Sequence, residues 1–491
     1  MNKKISVIFS FVLVLAIVVL SGCGCANNSA TNYEVRLEVW GLDDSDSMVK
    51  AISEYQKRNP RVKEIVYKKV TVDTYENDLM DALATGNGPD IFLVHNTWLS
   101  KHQDKLAPAP VDNLSSAQAP ILTPKQIQDQ FADVVTSDFV SDGKIYALPL
   151  SVDSLALFYN KDLFNQAGIS VPPATWLDFD EAARKITRID SLGNITLSGA
   201  AMGMSSEASP GTGKINRGTD ILTLLMMQSG ANMINPKNGQ AGFADFTDST
   251  FGGQISPGES ALSYYTKFAV SSPSNVQYSW NSLQHNSIDA FIEGKTAMMI
   301  NYSWQIPKIQ SKAPKLNLGI TPVPQNKDQS GNGMNIDFAN YWGYAVSKNK
   351  TLNQNFVKEA QQNRRTYATD DQRIAEAWKF TRYLTMSQSA SADLPVAPAT
   401  ADSAKFDPAA DYTASQQKPA ARRDLIEKQK TDILLASFAS GNLIAKSWPQ
   451  PDNLAVERIF DDMIDNVVLK NMKVHDAIQQ AQNGVDVLMR K

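Results

Sequence analysis

Asp153 is the residue of this sequence whose surroundings most need an explanation. It lies within an apolar run that predicts a buried strand, made up of Leu148, Leu150, Val152, Leu155 and Leu157. A carboxylate in such a strand loses its hydration and is costly unless a hydrogen-bond donor replaces the lost water. That donor could be a backbone N–H group, an arginine or a bound molecule. Asp43, which follows the first predicted strand, could supply a second carboxylate for acid–base chemistry.

The spacing of the other reactive side chains disfavours several kinds of site. The four histidines, His95, His102, His285 and His475, show no metal-ligand spacing, and no cysteine lies beside them. The stretch SPGTGKI lacks the first glycine of a phosphate loop, because Ala208 stands there. The run NKDQSGNGMNID ends on Asp337, where a calcium loop needs glutamate. We therefore expect neither a metal ion nor a cofactor.

The N-terminus predicts an exported chain that is anchored by a lipid. Lys3 and Lys4 precede an apolar stretch, residues 5–20, that is short for a membrane span and typical of a secretory signal. The small residues before Cys23 resemble the lipobox of bacterial lipoproteins, which predicts a signal peptide at 1–22, lipidation of Cys23 and a polar tether at 23–32. An ordinary signal peptide with a chance cysteine is the alternative. Lipidation of Cys23 would place the protein at the outer face of the cytoplasmic membrane.

Chain length, cysteine positions and net charge limit the expected architecture and the class of ligand. A chain of 491 residues exceeds what one hydrophobic core usually supports, so we expect at least two lobes. Both cysteines lie at the extreme N-terminus, so the body has no disulfide. The net charge is −4 and no basic stripe is visible, which argues against nucleic-acid binding and mildly favours a neutral ligand.

Strand and helix patterns alternate after the tether. Strands are predicted at 33–40, 62–70 and 89–95, with helices between them, and this order is typical of a parallel sheet with right-handed crossovers. Ligands of such sheets bind at the carboxyl ends of the strands. Those ends carry Asp43 and Asp44 after the first strand, and His95 and Trp98 after the third. Further along, the composition of 397–418 predicts a surface excursion, and 422–439 reads as one helix.

Four stretches, in this order along the chain, carry a likeness to a known family. They are LMDALATGNGPDIFLV, GKIYALPLSVDSLALFYNKDLFNQAGISVPPATWLDF, AFIEGKTAMMINYSW, and NYWGYAVSKNK followed by AWKFTRYLTM. Together they resemble the extracellular solute-binding proteins of ABC importers, the family that includes the maltose-binding protein. The predicted lipid anchor is consistent with this resemblance.

The resemblance implies an α/β, two-lobed, periplasmic-binding-protein-like fold with three interlobe crossings and a central ligand cleft. It places the crossings at Leu148–Val152, Phe338–Trp342 and Leu394–Ala397. The implied N-terminal lobe comprises 33–148 plus 343–393, and the C-terminal lobe comprises 149–342 plus 394–491.

The resemblance also implies which residues contact the ligand. Asp153 would accept hydrogen bonds from ligand hydroxyls, although it could instead cap a backbone group or pair with an arginine. Trp304 would stack on a sugar ring, with Tyr302 beside it. Further predicted contacts are Asp43, Asp44, His95, Trp98, Asn340, Tyr341, Trp342 and, as an aromatic lid, Trp448. Helix capping is the alternative for Asp43 and Asp44, a structural role is the alternative for His95, and a core position is the alternative for Trp304.

Two classes of function are consistent with these residues. The first is a binding lipoprotein, expected to be a monomer, that captures a solute, most simply a carbohydrate, and delivers it to the membrane subunits of an ABC permease. The second is a secreted glycoside hydrolase that uses cleft carboxylates such as Asp43 and Asp153, which would need to stand at a fixed separation around one glycosidic bond. We favour the binding protein, which has no catalytic residues, because the implied fold places these two acids on separate parts of the cleft.

Overall fold

The computed structural model describes residues 33–111, 121–206, 213–248, 253–272, 274–326, 333–387 and 406–490. The predicted signal peptide, Cys23, the tether and the predicted crossing at Leu394–Ala397 lie outside these ranges. Within the described ranges, the structure contains no helix that is both long enough and apolar enough to cross a bilayer.

The first part of the chain alternates strands and helices as its pattern predicts. Its elements are β1 (Tyr33–Gly41), α1 (Asp46–Arg58), β2 (Val62–Lys69), α2 (Val72–Ala84), β3 (Ile91–His95), α3 (Leu99–His102), β4 (Leu106–Ala107), α4 (Pro124–Gln130), α5 (Asp133–Phe139), β5 (Val140–Ser141), β6 (Lys144–Ile145) and β7 (Ala147–Leu148).

The middle of the chain is mixed. Its elements are β8 (Ala156–Asn160), α6 (Lys161–Gln166), α7 (Trp176–Ile186), β9 (Arg188–Ile189), β10 (Ile195–Leu197), α8 (Gly218–Gln228), β11 (Thr247–Asp248), β12 (Gln254–Ile255), α9 (Pro257–Thr266), α10 (Ser287–Ile292), β13 (Met298–Asn301), α11 (Ile306–Lys312), β14 (Leu318–Pro322) and β15 (Asp337–Phe338). A short 3₁₀ turn, Ser303–Gln305, connects β13 to α11.

The last part is mostly helical. Its elements are β16 (Trp342–Ser347), α12 (Gln354–Gln362), β17 (Thr366–Tyr367), α13 (Asp370–Thr385), α14 (Pro408–Ser415), α15 (Arg423–Gln429), α16 (Ala436–Asn442), β18 (Ala445–Lys446), α17 (Asn453–Val468) and α18 (Val474–Met489). The single helix predicted over 422–439 is wrong, because the chain forms two short helices there with a turn between them.

The first lobe is built on a sheet whose strands β1, β2 and β3 are parallel, as the alternation of strands and helices predicts. β16 returns antiparallel to β3, with Trp342 opposite His95. Val35, Leu37 and Val39 of β1 are almost fully buried, which explains the alternating pattern of that strand. This arrangement brings the loop after β1, the end of β3 and the start of β16 to one edge of the sheet.

The second lobe contains a smaller antiparallel sheet in which β8 lies between β13 and β14. Its helix α7 begins at Trp176 because Thr175 and Asp178 form a capping box. Trp176 and Trp280 are buried in the surrounding core, where each indole N–H donates a hydrogen bond. The end of β13 delivers the chain to the Ser303–Gln305 turn, which reaches the space between the lobes.

The apolar run around Asp153 is a crossing between the lobes and not one continuous strand. Leu148 packs in the first core and Leu155 in the second. Between them the chain bridges two other segments, Ser151 to Ala420 and Ser154 to Ala339. Asn340 belongs to a second crossing and donates its backbone N–H to the carbonyl oxygen of Asp153 at 2.9 Å. Two neighbouring crossings therefore place Asp153 at the junction of the lobes.

The buried apolar residues form two separate hydrophobic cores, one in each lobe. Residues 409–426 contribute to the first core, whereas the predicted C-terminal lobe contained all of 394–491. After Ile426, Leu435 and Phe438 contribute to the second core, and Ala439 and Ala445 to the first. This stretch therefore runs along the junction of the lobes, and the predicted crossing at Leu394–Ala397 stays a prediction.

Candidate functional site

A cleft of about 1050 Å³ opens between the two lobes. The first lobe supplies one wall from the end of β1, the end of β2 and the segment after α14. The second lobe supplies the other wall from the Ser303–Gln305 turn, the start of α17 and the residues before α8. The two crossings form the floor through Asp153 and Asn340. A cleft of this size, lined by both apolar and polar side chains, is large enough for a small-molecule ligand of several rings.

Trp304 presents the clearest apolar surface in the cleft. It lies on the turn after β13 and is 42% exposed. One face of its indole stacks on Tyr302, with ring centroids 4.3 Å apart and planes 22° apart. Tyr302 is fully buried and donates its hydroxyl hydrogen to Asp220 Oδ2 at 2.7 Å. Tyr302 therefore supports Trp304 from below, and the exposed indole can act as a platform for a ring.

The hydrogen-bond donors to Asp153 in this structure belong to the protein itself. Its carboxylate accepts the Ser303 backbone N–H at 3.1 Å and the Ser303 hydroxyl at 2.5 Å. Burial raises the pKa of Asp153 to about 7, and the hydrogen bonds from Ser303 oppose that shift. The carboxylate thus caps the turn that carries Trp304, which is the alternative that the sequence left open. Asp153 also lines the cleft, so it remains within reach of a ligand.

Asp43 lines the first-lobe wall and does not cap helix α1. One carboxylate oxygen accepts from Lys418 Nζ at 2.6 Å and the other from the Tyr412 hydroxyl at 2.6 Å. Asp44, its neighbour, lies on the surface with a side chain 80% exposed and pairs with Lys69 at 2.6 Å. Asp44 does not line the cleft in this structure, and its predicted ligand contact stays a prediction.

Arg217 was not expected from the sequence and occupies the opposite wall. It has a left-handed backbone conformation, with φ of 64°, immediately before α8. Its guanidinium donates to Asp220 Oδ2 at 2.6 Å and to Glu457 Oε1 at 3.1 Å. The acid three residues after the arginine is a faint helix-start signal, but nothing in the sequence connects 217 to 457. Arg217, Asp220 and Glu457 therefore form a hydrogen-bonded group of three charged side chains, and Asp220 also accepts from the Tyr302 hydroxyl.

His95 lies at the cleft floor as a neutral, structural histidine. Nδ1 contacts Thr97 Oγ1 at 2.8 Å and Nε2 contacts Asn340 Oδ1 at 3.0 Å. Burial lowers the pKa of His95 to about 4, so the ring is uncharged near neutral pH. Asn340 is half-buried and lines the cleft beside it. The pair can offer polar atoms to a ligand without adding charge.

The aromatic residues around the third strand differ in their access to the cleft. Trp342 is half-buried and lines the cleft. Tyr341 reaches the same wall but is buried, and its hydroxyl donates to Asp138 Oδ2 at 2.8 Å. Trp98 is 4% exposed and packs edge-on against Trp342, and its indole N–H donates to Asn453 Oδ1 at 2.7 Å. The predicted platform role of Trp98 is not met in this conformation, where it connects the two lobes.

Trp448 lies in the second core and not over the cleft. It is 3% exposed and its ring is parallel to that of Phe460, with centroids 6.3 Å apart. In this structure Trp448 is therefore a core residue that packs on Phe460 of α17, and its predicted role as an aromatic lid stays a prediction.

Among the described residues, no group of three or more His, Cys, Asp or Glu side chains is placed to hold a metal ion. The central part of the calcium-like run, residues 327–332, lies outside the described ranges.

Comparisons with known proteins agree with this architecture. A curated relative, the arabinooligosaccharide-binding protein of Bacillus subtilis, is 25% identical over 48% of this chain and 55% of its own length. The maltodextrin-binding protein of the same organism is 26% identical over 62% and 64% respectively. The chain thus spans less than two thirds of the length of these relatives.

A solved structure of a cyclo/maltodextrin-binding protein complexed with maltotetraose superposes with a TM-score of 0.64 at 16% identity. The alignment covers 93% of this chain and 97% of that one. This likeness shows the two-lobed fold that the sequence predicts.

The family described as bacterial extracellular solute-binding protein matches residues 42–390. That range includes both crossings of the cleft floor, the Trp304 platform and all strands of the first sheet except β1, which ends at Gly41. The chain therefore belongs to the family of bacterial extracellular solute-binding proteins.

Proposed function

We propose that this protein is the membrane-anchored, extracytoplasmic binding component of an ABC importer, and that it captures a carbohydrate between its lobes and delivers it to a permease. The observation that carries the proposal is the exposed face of Trp304, supported by buried Tyr302 and placed across the cleft from a polar wall. A flat apolar face against one side of a sugar ring, with polar groups around its hydroxyls, is a common way to bind carbohydrate.

The electrostatics of the cleft favour an uncharged ligand. The cations that line it already have anionic partners: Lys418 has Asp43, Arg217 has Asp220 and Glu457, and Lys69 has Asp44. An acidic ligand would have to displace one of these pairs. The relatives with names that specify a ligand are described as binding neutral oligosaccharides, which supports the same class.

Calorimetry on the full-length protein, purified in detergent, tests the proposal. The panel comprises maltotriose, mannobiose, arabinotriose and galactobiose. We expect saturable binding of at least one sugar without turnover, and a smaller radius of gyration by X-ray scattering when that sugar is added. Absence of binding across the panel would count against the carbohydrate. Release of shorter sugars would favour the alternative, a hydrolase using Asp43 and Asp153.

Anchoring is tested separately, because it depends on the N-terminal residues. Cys23→Ser should move the protein from the membrane fraction to the medium, or leave the signal uncut. A mature Cys23→Ser protein that still fractionates with membranes as the wild type does would contradict lipidation at that residue.

A further inference from the structure

A polar group on the first-lobe wall has two members from a part of the chain beyond the family match. Asp43 lies within residues 42–390, whereas Tyr412 and Lys418 follow them. All three line the cleft. Lys418 Nζ lies 2.6 Å from Asp43 Oδ1 and 2.9 Å from the Tyr412 hydroxyl, which lies 2.6 Å from Asp43 Oδ2. Each member therefore contacts the other two.

The backbone holds Tyr412 and Lys418 firmly in place. Helix α14 is capped by Asp407, which accepts the Ala410 N–H at 3.1 Å, and Tyr412 is 5% exposed. After the helix, Gln417 adopts a left-handed conformation with φ of 50°, which turns the chain so that Lys418 follows. The Lys418 N–H then donates to the Thr413 carbonyl oxygen at 3.0 Å. This is the Schellman geometry of a helix end, and it fixes the position of Lys418 relative to α14.

The hydrogen-bonding capacity of the group is only partly used. A lysine ammonium has three N–H donors, and two of those of Lys418 go to Asp43 and Tyr412. Each oxygen of Asp43 can accept a second hydrogen bond. The Lys418 side chain is 32% exposed and that of Asp43 is 18% exposed, so both can be reached from the cleft. One donor and one acceptor therefore stand side by side.

We propose that Asp43, Tyr412 and Lys418 form a selectivity subsite that binds two adjacent hydroxyls of a neutral sugar and disfavours acidic sugars. One ligand hydroxyl accepts from Lys418 and its neighbour donates to Asp43, while Tyr412 positions the carboxylate. This inference rests on the proposed function, since it specifies which carbohydrates the cleft accepts.

The rejection of acidic sugars follows from the charge of the group. Asp43 neutralises Lys418 at hydrogen-bond distance, so a uronate carboxylate gains no net attraction and must approach the Asp43 carboxylate. Asp153 adds a further carboxyl group on the floor, close enough for Lys418 to lower its pKa. The preference for neutral over acidic sugars depends on both charges of the Asp43–Lys418 pair. Removing the charge of Lys418 should raise the neutral-to-acidic affinity ratio, and removing that of Asp43 should lower it.

Two variants and a matched control test this subsite. Lys418→Met removes the donor and leaves Asp43 unneutralised, whereas Asp43→Asn leaves the Lys418 cation unneutralised. Lys50→Met is the control, because Lys50 pairs with Asp411 on the outer side of the same helix α14 and its side chain is 62% exposed. The measurement is calorimetric affinity for the neutral sugar of the panel that wild type binds tightest, and for trigalacturonate, alongside the melting temperature of each unliganded variant.

We expect Lys418→Met to weaken neutral-sugar binding about tenfold, because a charge-assisted hydrogen bond is lost, and to weaken trigalacturonate binding further, because the unneutralised Asp43 carboxylate repels it, so that the neutral-to-acidic affinity ratio rises. Asp43→Asn should also weaken the neutral sugar but improve trigalacturonate, so that the neutral-to-acidic affinity ratio falls about tenfold. Lys50→Met should leave both affinities within about twofold of wild type.

The outcomes separate this inference from the proposed function. If wild type binds no sugar of the panel, both fail. If wild type binds but Lys418→Met and Asp43→Asn lower both affinities together, or change neither, the group is structural and only the inference fails. If one variant does not fold, the other still reports the affinity ratio, which a purely structural role would not shift.

Discussion

Two aromatic pairs in the second lobe have similar geometry and differ in exposure. Trp304 stacks on Tyr302, and Trp448 lies parallel to Phe460, with ring planes 22° and 25° apart. Trp304 is 42% exposed and Trp448 is 3% exposed. One face of Trp304 packs on the buried Tyr302 ring and the indole lines the cleft, which makes Trp304 the candidate platform. The same residue type packed on both sides is a core residue.

The largest expected effect is a loss of stability when the buried Trp448–Phe460 pair is disrupted. Trp448→Ala should lower the free energy of unfolding by about 3–5 kcal/mol, because it leaves a large cavity beside Phe460. Urea unfolding of the unliganded protein measures this loss, and the sugar affinity of the remaining folded protein should be unchanged. A variant with normal stability and weakened binding would mean that Trp448 reaches the ligand after all.

Disrupting the exposed Trp304–Tyr302 pair should lower sugar affinity and leave stability almost unchanged. Trp304→Ala should weaken sugar binding by about 1–2 kcal/mol, roughly tenfold, because the apolar face of the sugar ring stays wet. The free energy of unfolding should change little, since the indole is not part of a core. Calorimetric affinity and urea unfolding measured together distinguish the two pairs. A large stability loss with unchanged affinity would assign Trp304 to the framework.

A smaller effect on affinity and stability is expected from the hydroxyl of Tyr302, the residue on which Trp304 stacks. Tyr302→Phe keeps the stacked ring but removes the hydroxyl that donates to buried Asp220, which should cost about 1 kcal/mol of stability and a few-fold of affinity. Tyr265→Phe is a matched control, because that buried hydroxyl donates to the Met204 carbonyl oxygen within the core. It should lose similar stability with unchanged affinity. Equal affinities for the two variants would contradict the supporting role of Tyr302.

A pH titration tests whether Asp153 holds the platform turn. Burial raises the pKa of Asp153 from 3.8 to about 7, so the folded state keeps a proton that the unfolded state releases above about pH 4. This group's contribution to stability is therefore fully present below about pH 4, declines as the pH rises, and is lost above about pH 7. Asp337, whose pKa burial raises to about 8, changes in the same direction and is present in both proteins compared.

The comparison is wild type against Asp153→Asn. Between pH 4 and 7, the unfolding free energy of wild type should fall relative to that of the variant, measured by urea unfolding at each pH. Parallel curves for the two proteins would show that Asp153 ionises normally and is not held in the buried turn.

Much of the fold could be predicted because local patterns determine it. Alternating Val35, Leu37 and Val39 mark a strand with a buried face, and helices between successive strands require parallel pairing. The exception near Asp153 is informative. An apolar run cannot distinguish one strand from two short strands in different lobes, because nearly every residue from 145 to 158 is buried in either case.

The site was predicted less completely, since its members meet only in the folded chain. Asp153, Trp304, Asp43 and Asn340 lie in or beside recognisable motifs, and all four line the cleft. Tyr412 and Lys418 come from a stretch that the sequence marks as a surface excursion, yet their helix packs on the first core. Pro408 at the first helical position and the alanines after it are compatible with a short helix, but they carry no information about which core that helix covers.

The sequence by itself determined the order of elements, the first sheet and the motifs that identify the family, because these depend on residues close together in the chain. Tertiary structure alone decided which tryptophan is exposed, which carboxylate is already paired and which distant segment completes the cleft wall. The physical reason is that burial and electrostatic partnership are properties of neighbours in space. Asp43 and Lys418 are hydrogen-bonded at 2.6 Å although 375 positions separate them along the chain.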